Sequence, residues 1–339
     1  MSIYDILEKA FMEHASDIHI TTNSDVYIRK YGEIEYFIKL ENHTEEIKKI
    51  IPKTKEKLFL KYGEVDFSIE SERRIRARVN VYRRYYGISA SIRIIASEIP
   101  DIKEIGLPDE IKGCLYLKKG LVLITGITGS GKSTTMASII DEINKEYKKH
   151  IITIEDPVEY IYSNKKSIVT QREIGENTSS FSKALISALR QDPDIIMLGE
   201  MRDSDTVKTA LSAAETGHLV FSTLHTENAP KSVERIIDMF GGESHGIIKE
   251  MIASQLKLII SQRLIKTSDG KRTAVFEVMK NTGAVSSLIR EEKYSGIGLY
   301  IKTGKKYGML SFKESLEKLY KNGKISESVY IDESKGGEI

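Results

Sequence analysis

From residue 120 onward, short apolar runs alternate with longer stretches whose apolar positions recur every three to four residues. The runs read LVLIT, HIITI, DIIML and HLVFST. Runs this short and this apolar, separated by helix-length segments, predict a parallel sheet covered on both faces by crossover helices. The earlier part of the chain follows other periods. Ile3, Ile6, Leu7, Ala10 and Phe11 share one face at helical spacing, which predicts a helix over 3–13. SDIHITT alternates like a strand, as does VYIRKYGEIEYF around a turn at Gly32. Thr44 to Lys61 reads as a charged helix, and RIRARVNVYRRYYGISASIRII as a hairpin turning near Tyr86-Gly87. SEIPDIKEIGLPDEIK, with Pro100 and Pro108, is the best linker candidate. Beyond about Pro230 the pattern is mostly helical, over 231–239, 245–261, 282–292 and 312–322, with RTAVFEVM as a short strand between. The expectation is an α/β protein: an α+β domain over 1–97, a linker over 98–112, and a P-loop domain over 113–339. That last domain has a mainly parallel sheet and a helical C-terminal region from about 230.

Composition narrows this. With 339 residues, 40% hydrophobic and 29% charged, the chain can bury more than one core. A formal net charge of +2 provides no global basic field for nucleic acid. The single cysteine, Cys114, rules out an internal disulfide and a multi-cysteine zinc site, and reads as a packing residue in a reducing compartment. MSIYDILEKAFMEHASD lacks the apolar centre of a signal peptide, and no apolar run approaches the roughly 20 residues that span a bilayer. The expected location is cytoplasmic, without direct membrane insertion, any membrane association coming through a partner.

The chemistry starts where LVLIT ends. Gly126 to Ser133 fits G-x-x-x-x-G-K-[ST] between a strand and a helix. Glycines permit the turn and let backbone N–H groups converge on phosphate oxygens, and the helix adds its positive end. The nucleotide-binding residues expected are Thr128, Gly129, Ser130, Gly131, Lys132, Ser133 and Thr134, with Lys132 on the β- and γ-phosphates and Ser133 on Mg²⁺. Ligands of parallel sheets gather at the carboxyl ends of the strands. Those ends carry Glu155, Asp156 and Glu159, then Glu200, Arg202 and Asp203, then Thr223, His225 and Thr226. Glu200 is the metal-side acid. Asp194 starts its strand, about 20 Å away at ~3.3 Å per residue. Glu159 and Glu155 are both candidates to orient water, and His225 to sense the γ-phosphate. His218 is equally readable as structural or functional. Arginines crowd the first domain, at positions 73, 74, 76, 78, 83, 84 and 93. They form either a solvated docking face or a cover for a nucleotide bound to another subunit.

These stretches together resemble the PilT-like branch of the type II/type IV secretion ATPases, the motors that retract type IV pili. ASDIHI is similar to the family's N-terminal signature, TGITGSGKSTT to its P-loop and TIEDPVEY to its aspartate box. LRQDPDIIMLGEMRD is similar to its modified Walker B segment and AAETGHLVFSTLHT to its histidine box. The resemblance implies a homohexameric ring with PAS-like N-terminal and RecA-like C-terminal domains, ATP and Mg²⁺ between subunits, and an inner-membrane pilus platform protein as partner. The ring would sit at the inner face of the cell membrane and engage no nucleic acid. By position, Glu159 matches the water-activating glutamate, Glu200 the Walker B acid that holds Mg²⁺ through water, and His225 the histidine-box residue. Arg78 and Arg93 match the family's N-domain arginines at the nucleotide. The additional N-terminal region and four-cysteine motif of extension motors are not seen in this chain. The retraction signature A-I-R-N-L-I-R-E is met by AVSSLIREEK, which keeps Leu288-Ile-Arg290-Glu291 but places Ser286-Ser287 at the Arg-Asn pair. An extension or secretion ATPase, a RecA-like nucleic-acid motor and a nucleotide-gated scaffold are the alternatives.

Overall fold

The computed structural model describes residues 1–30, 32–95 and 98–335; the domain boundary expected at Ser97 and residues 336–339 lie outside them. The chain forms two compact units, Met1–Glu98 with Glu159–Ile161, and Ile99–Val158 with Tyr162–Ile339.

The first unit is the α+β, PAS-like part. Its opening helix, Ile3–Met12, starts at Ser2, whose hydroxyl accepts from Asp5 N while the Asp5 carboxylate accepts from Ser2 N. This reciprocal cap satisfies two donors that the first turn leaves open. The helix buries Ile3, Ile6, Leu7 and Ala10 against an antiparallel six-stranded sheet. The strands are β1 (Asp17–Thr21), β2 (Val26–Lys30), β3 (Glu33–Ile38), β4 (Glu64–Glu70), β5 (Arg76–Arg84) and β6 (Gly87–Ile95), in the order β3-β2-β1-β6-β5-β4. Along β5, Ala77, Val79 and Val81 are buried, so Arg76 and Arg78 face the other way. The helix expected over 44–61 is in fact two, His43–Ile50 and Lys53–Tyr62. Pro52 has no N–H to donate and holds Ile51 extended, at φ −70° and ψ 121°. β4 follows the left-handed Gly63 cap and was not anticipated, although its Val65, Phe67 and Ile69 alternate into the core.

The second unit is built on a seven-stranded sheet. Its strands are β7 (Gly120–Thr125), β8 (His150–Glu155), β9 (Ile168–Glu173), β10 (Ile195–Leu198), β11 (Leu219–Leu224), β12 (Leu256–Lys266) and β13 (Arg272–Lys280). The order is β13-β12-β7-β11-β10-β8-β9, parallel throughout except for the antiparallel β12–β13 pair. Every residue of β7, β10 and β11 is buried, as expected of strands covered on both faces. Residues 99–112 pack with this unit, with Ile102, Leu107 and Ile111 buried, so the stretch read as a linker contributes to a core.

One element departs from the expected pattern with consequences for the site. The helix expected over 245–261 ends at Gln255, and Leu256–Lys266 is an 11-residue strand. It pairs in parallel with β7 and antiparallel with β13. Two ladders and the burial of Leu258, Ile259 and Ile260, on both faces of the strand, outweigh the weak helical preference of this β-branched segment. β9, half-exposed and polar, was also not anticipated. The C-terminal helices are Ala229–Asp238, Glu243–Gln255, Gly283–Arg290, Tyr294–Thr303, Phe312–Lys321 and Glu327–Lys335.

Cys114 lies in a short turn before β7 with 1% of its surface exposed, and burial pushes its thiol up to about 12. At mildly alkaline pH the thiolate, which is the reactive form, is scarcely populated. Iodoacetamide is therefore expected to leave the native protein unlabelled and to modify Cys114 fully in concentrated guanidinium. Rapid labelling of the native protein would contradict the packing role.

Candidate nucleotide site

β7 lies between β11 and β12, and the chain leaves its carboxyl end through Gly126. Gly126 has φ +150°, and a Cβ there would run into the Gln262 carbonyl and the Ser130 hydroxyl. Gly131, at φ +87°, is the N-cap of the helix Lys132–Glu146, and no side chain caps that end. The loop between them is held from outside. Gln262 Nε2 donates to the Ser130 carbonyl at 2.5 Å, and Thr125 Oγ1 donates to Ser261 Oγ at 3.0 Å. The buried Lys132 ammonium donates to the carbonyls of Gly126 and Ile127 at 2.8 and 3.0 Å. The Ser130 hydroxyl is buried without a hydrogen-bond partner among the described residues. An uncapped helix start, an unpartnered hydroxyl and a buried ammonium fit a phosphate chain. Ser133, at the first turn, is exposed. Ser261 and Gln262 are not among the site residues expected from the sequence: Ser261 ends the helix expected over 245–261 and Gln262 lies just beyond it, whereas both belong to the strand Leu256–Lys266.

Across the neighbouring strand ends runs a polar row. Thr128 Oγ1 lies 3.4 Å from His225 Nδ1, and His225 Nε2 lies 3.4 Å from Glu200 Oε2. Arg202 approaches the other oxygen, Glu200 Oε1, at 2.5 Å. The pairing with Glu200 holds the Arg202 guanidinium above its ordinary value. The turn after β10 is shaped by Thr223, whose hydroxyl donates to the Gly199 carbonyl at 2.6 Å. Thr128, His225, Glu200 and Arg202 thus form one connected row, while Lys132 stays on the carbonyls of its own loop.

The other candidates lie in different surroundings. Glu155 is buried and accepts from Thr153 Oγ1 at 2.6 Å and from Gln171 Nε2 at 3.2 Å. Glu159 is exposed and groups with the first unit. Asp203 caps the helix Ser204–Glu215, while Asp194 accepts from Lys149 Nζ and His150 N at the opposite end of β10. His218 Nδ1 lies 3.0 Å from the Ala213 carbonyl, just past the C-terminal end of that helix. In the first unit, Arg78 and Arg93 stand directly opposite each other on β5 and β6. Arg93 is held by Asp17 at 2.9 Å and Arg78 by Asp66 at 4.0 Å. The arginine-rich stretch is not one face: Arg73 pairs with Glu8, and Arg83 lies over the Phe59 ring at the far end of β5.

In the C-terminal signature, Ser286 Oγ lies 2.8 Å from the Ala253 carbonyl and 3.0 Å from Asn281 Oδ1. Ser287 bonds within its own helix, and Arg290 forms a fork onto both Glu250 oxygens at 2.8 Å. Ser286 therefore ties its helix to the end of the Glu243–Gln255 helix.

A P-loop between parallel strands, with a carboxylate, a histidine and an arginine across the adjacent strand ends, defines a P-loop ATPase. The chain belongs to the type II/IV secretion system protein family, whose profile matches residues 1–296. It is 40% identical over 330 residues to the type IV pilus retraction ATPase PilT of Pseudomonas aeruginosa, covering 96% of each chain. It is 41% identical over 304 residues to a twitching motility protein of Neisseria gonorrhoeae, covering 88% of this chain and 81% of that protein. A solved structure of the pilus retraction motor PilT with bound ADP superposes with a TM-score of 0.90 at 40% identity, covering 98% of this chain and 96% of that one.

Gly126→Ala combines a disfavoured φ with a collision against Gln262 and Ser130. It is expected to weaken ADP binding by on the order of 100-fold or more by calorimetry, while the first unit keeps its fold. Unchanged ADP affinity would show that the loop tolerates a side chain there.

Proposed function

We propose that this ATPase is the retraction motor of a type IV pilus. It would work as a homohexameric ring at the inner face of the cell membrane on an inner-membrane platform protein, with no nucleic acid as partner. The observation that carries the reading is the match to PilT along nearly the whole of both chains, in sequence and in fold.

In this reading ATP lies against Thr128, Gly129, Ser130, Gly131, Lys132, Ser133 and Thr134. Lys132 leaves the loop carbonyls for the β- and γ-phosphate oxygens. The residues suited to a metal are the Ser133 hydroxyl and, through water, Glu200. Among the described residues no cluster of three or more His, Cys, Asp or Glu could hold a metal by itself, so a cation here would depend on phosphate oxygens. Mg²⁺, when bound, supplies charge neutralisation. Glu159 orients the water whose oxygen attacks the γ-phosphorus as the bond to the bridging oxygen breaks. His225, between Thr128 and Glu200, registers whether the γ-phosphate is present. Arg78 and Arg93 come from a neighbouring subunit. Like charges placed directly opposite on adjacent strands destabilise a sheet, and an anion between them would relieve this.

Shared sites make a sharp test. Lys132→Ala keeps its arginines, and a double variant with Arg78→Ala and Arg93→Ala keeps its phosphate loop. Each alone is expected to lose roughly 10³-fold in turnover, and co-assembled mixtures to regain part of it. Mixtures that co-assemble by size but stay inactive would rule out arginines acting across subunits. Glu159→Ala is expected to lose about 10²-fold or more in kcat; wild-type turnover would remove it from the mechanism. Retraction itself is tested in cells. Loss of the gene should leave piliated cells that cannot twitch, whereas loss of pili would favour an assembly motor.

A further inference from the structure

The β12–β13 hairpin touches the nucleotide site at more than one point. Ser261 follows Ile260 in β12 and accepts from Thr125, the last residue of β7. Its neighbour Gln262 holds the Ser130 carbonyl. Directly opposite Ser261, in the antiparallel register with β13, stands Glu277. Burial pushes the Glu277 carboxyl above its ordinary range, against the opposing pull of the Ala229 N–H, the Ser261 hydroxyl and the Arg263 charge. Glu277 Oε1 in turn accepts from the backbone N–H of Ala229 at 2.9 Å.

Ala229 opens the helix Ala229–Asp238, whose first N–H groups have no intrahelical partner. Asn228 caps Lys231 N at 2.9 Å, and Glu277 takes Ala229 N, so the start of this helix is tied twice. Between the end of β11 at Leu224 and this helix lie only His225, Thr226, Glu227 and Asn228. Thr226 is itself bonded to Ser232 of the helix at 2.6 Å. A loop this short is set by its two ends. One end is β11; the other is held by Glu277.

We propose that Glu277, through Ser261 and with Gln262, is a positioning residue for ATP hydrolysis: it registers the His225 loop against the phosphate loop. Gln262 shapes the binding end of this connection and Glu277 the end that carries His225. The two ends therefore affect different steps. Loss of Gln262 loosens the cradle and weakens nucleotide binding. Loss of the Glu277 acceptor leaves the cradle intact but lets the helix start and its loop drift, which slows turnover. The inference depends on ATP turnover and not on pilus retraction, so it stands apart from the cellular test.

The experiment measures ADP affinity by calorimetry and ATP kcat in the full chain, with wild type as the reference. Glu277→Leu is expected to lower kcat about tenfold or more while ADP affinity stays within about threefold. Glu277→Gln, whose amide oxygen still accepts from Ala229 N, is expected to recover most of the turnover. Gln262→Leu is expected to weaken ADP binding roughly tenfold. Ser261→Ala, a small change at the joint that also frees Thr125 beside the phosphate loop, is expected to lower kcat severalfold and to weaken ADP binding less than Gln262→Leu does; if Glu277→Leu does not fold, wild-type kcat in Ser261→Ala overturns the proposal. Wild-type kcat in Glu277→Leu would overturn the proposal. So would a parallel loss of affinity and turnover that Glu277→Gln fails to rescue, because that pattern marks a general loss of structure.

Discussion

A loop that presents its own N–H groups to an anion cannot use the same groups to hold its shape. This constraint governs the ATPase unit. The loop after β7 is glycine-rich, so its backbone is permissive rather than rigid, and its helix begins without a side-chain cap. Stiffness has to come from elsewhere, and β12 supplies it. Gln262 grips the Ser130 carbonyl, Ser261 takes the hydroxyl at the end of β7, and Lys132 bonds to the loop's own carbonyls. Within this frame the Ser130 carbonyl is held by Gln262, while the Ser130 hydroxyl is buried without a hydrogen-bond partner among the described residues.

The same economy orders the charges at the strand ends. Glu200 is flanked by Arg202 and His225, so one carboxylate faces two groups that can lend it positive charge. Glu155, by contrast, is occupied by Thr153 and Gln171 and serves the sheet. Identical residue types at equivalent strand ends thus have different surroundings: a guanidinium and an imidazole at Glu200, a hydroxyl and an amide at Glu155. In the first unit, the pairing of β5 with β6 sets Arg78 and Arg93 face to face, each tethered by an aspartate.

Much of this was legible in the order of residues. The four apolar runs became β7, β8, β10 and β11, because fully buried parallel strands need unbroken apolar sequence. The phosphate loop was legible because few residue types allow that turn. Glu200 and His225 were legible as the polar residues just past apolar runs. What failed was weaker in pattern. β9 is an edge strand with a polar face, so it lacked an apolar signature. Ser286, part of the departure from the retraction signature, turned out to hold the Ala253 carbonyl of a neighbouring helix, a contact that only the packing of two helices reveals.

The sequence by itself determined the chemistry of the phosphate loop, the parallel sheet and the identity of the residues at its carboxyl edge. These follow from local rules: which residues bend, which stay buried, and which are left polar where a strand stops. Only the tertiary structure decided that Leu256–Lys266 is a strand, that Ser261 and Gln262 brace the loop, and that Glu277 reaches the helix after His225. The physical reason is that a β-branched segment with a few polar residues is compatible with either helix or strand. Its state is settled by the hydrogen-bonding edges that neighbouring strands offer, and one of those neighbours, β7, lies more than a hundred residues away in the chain.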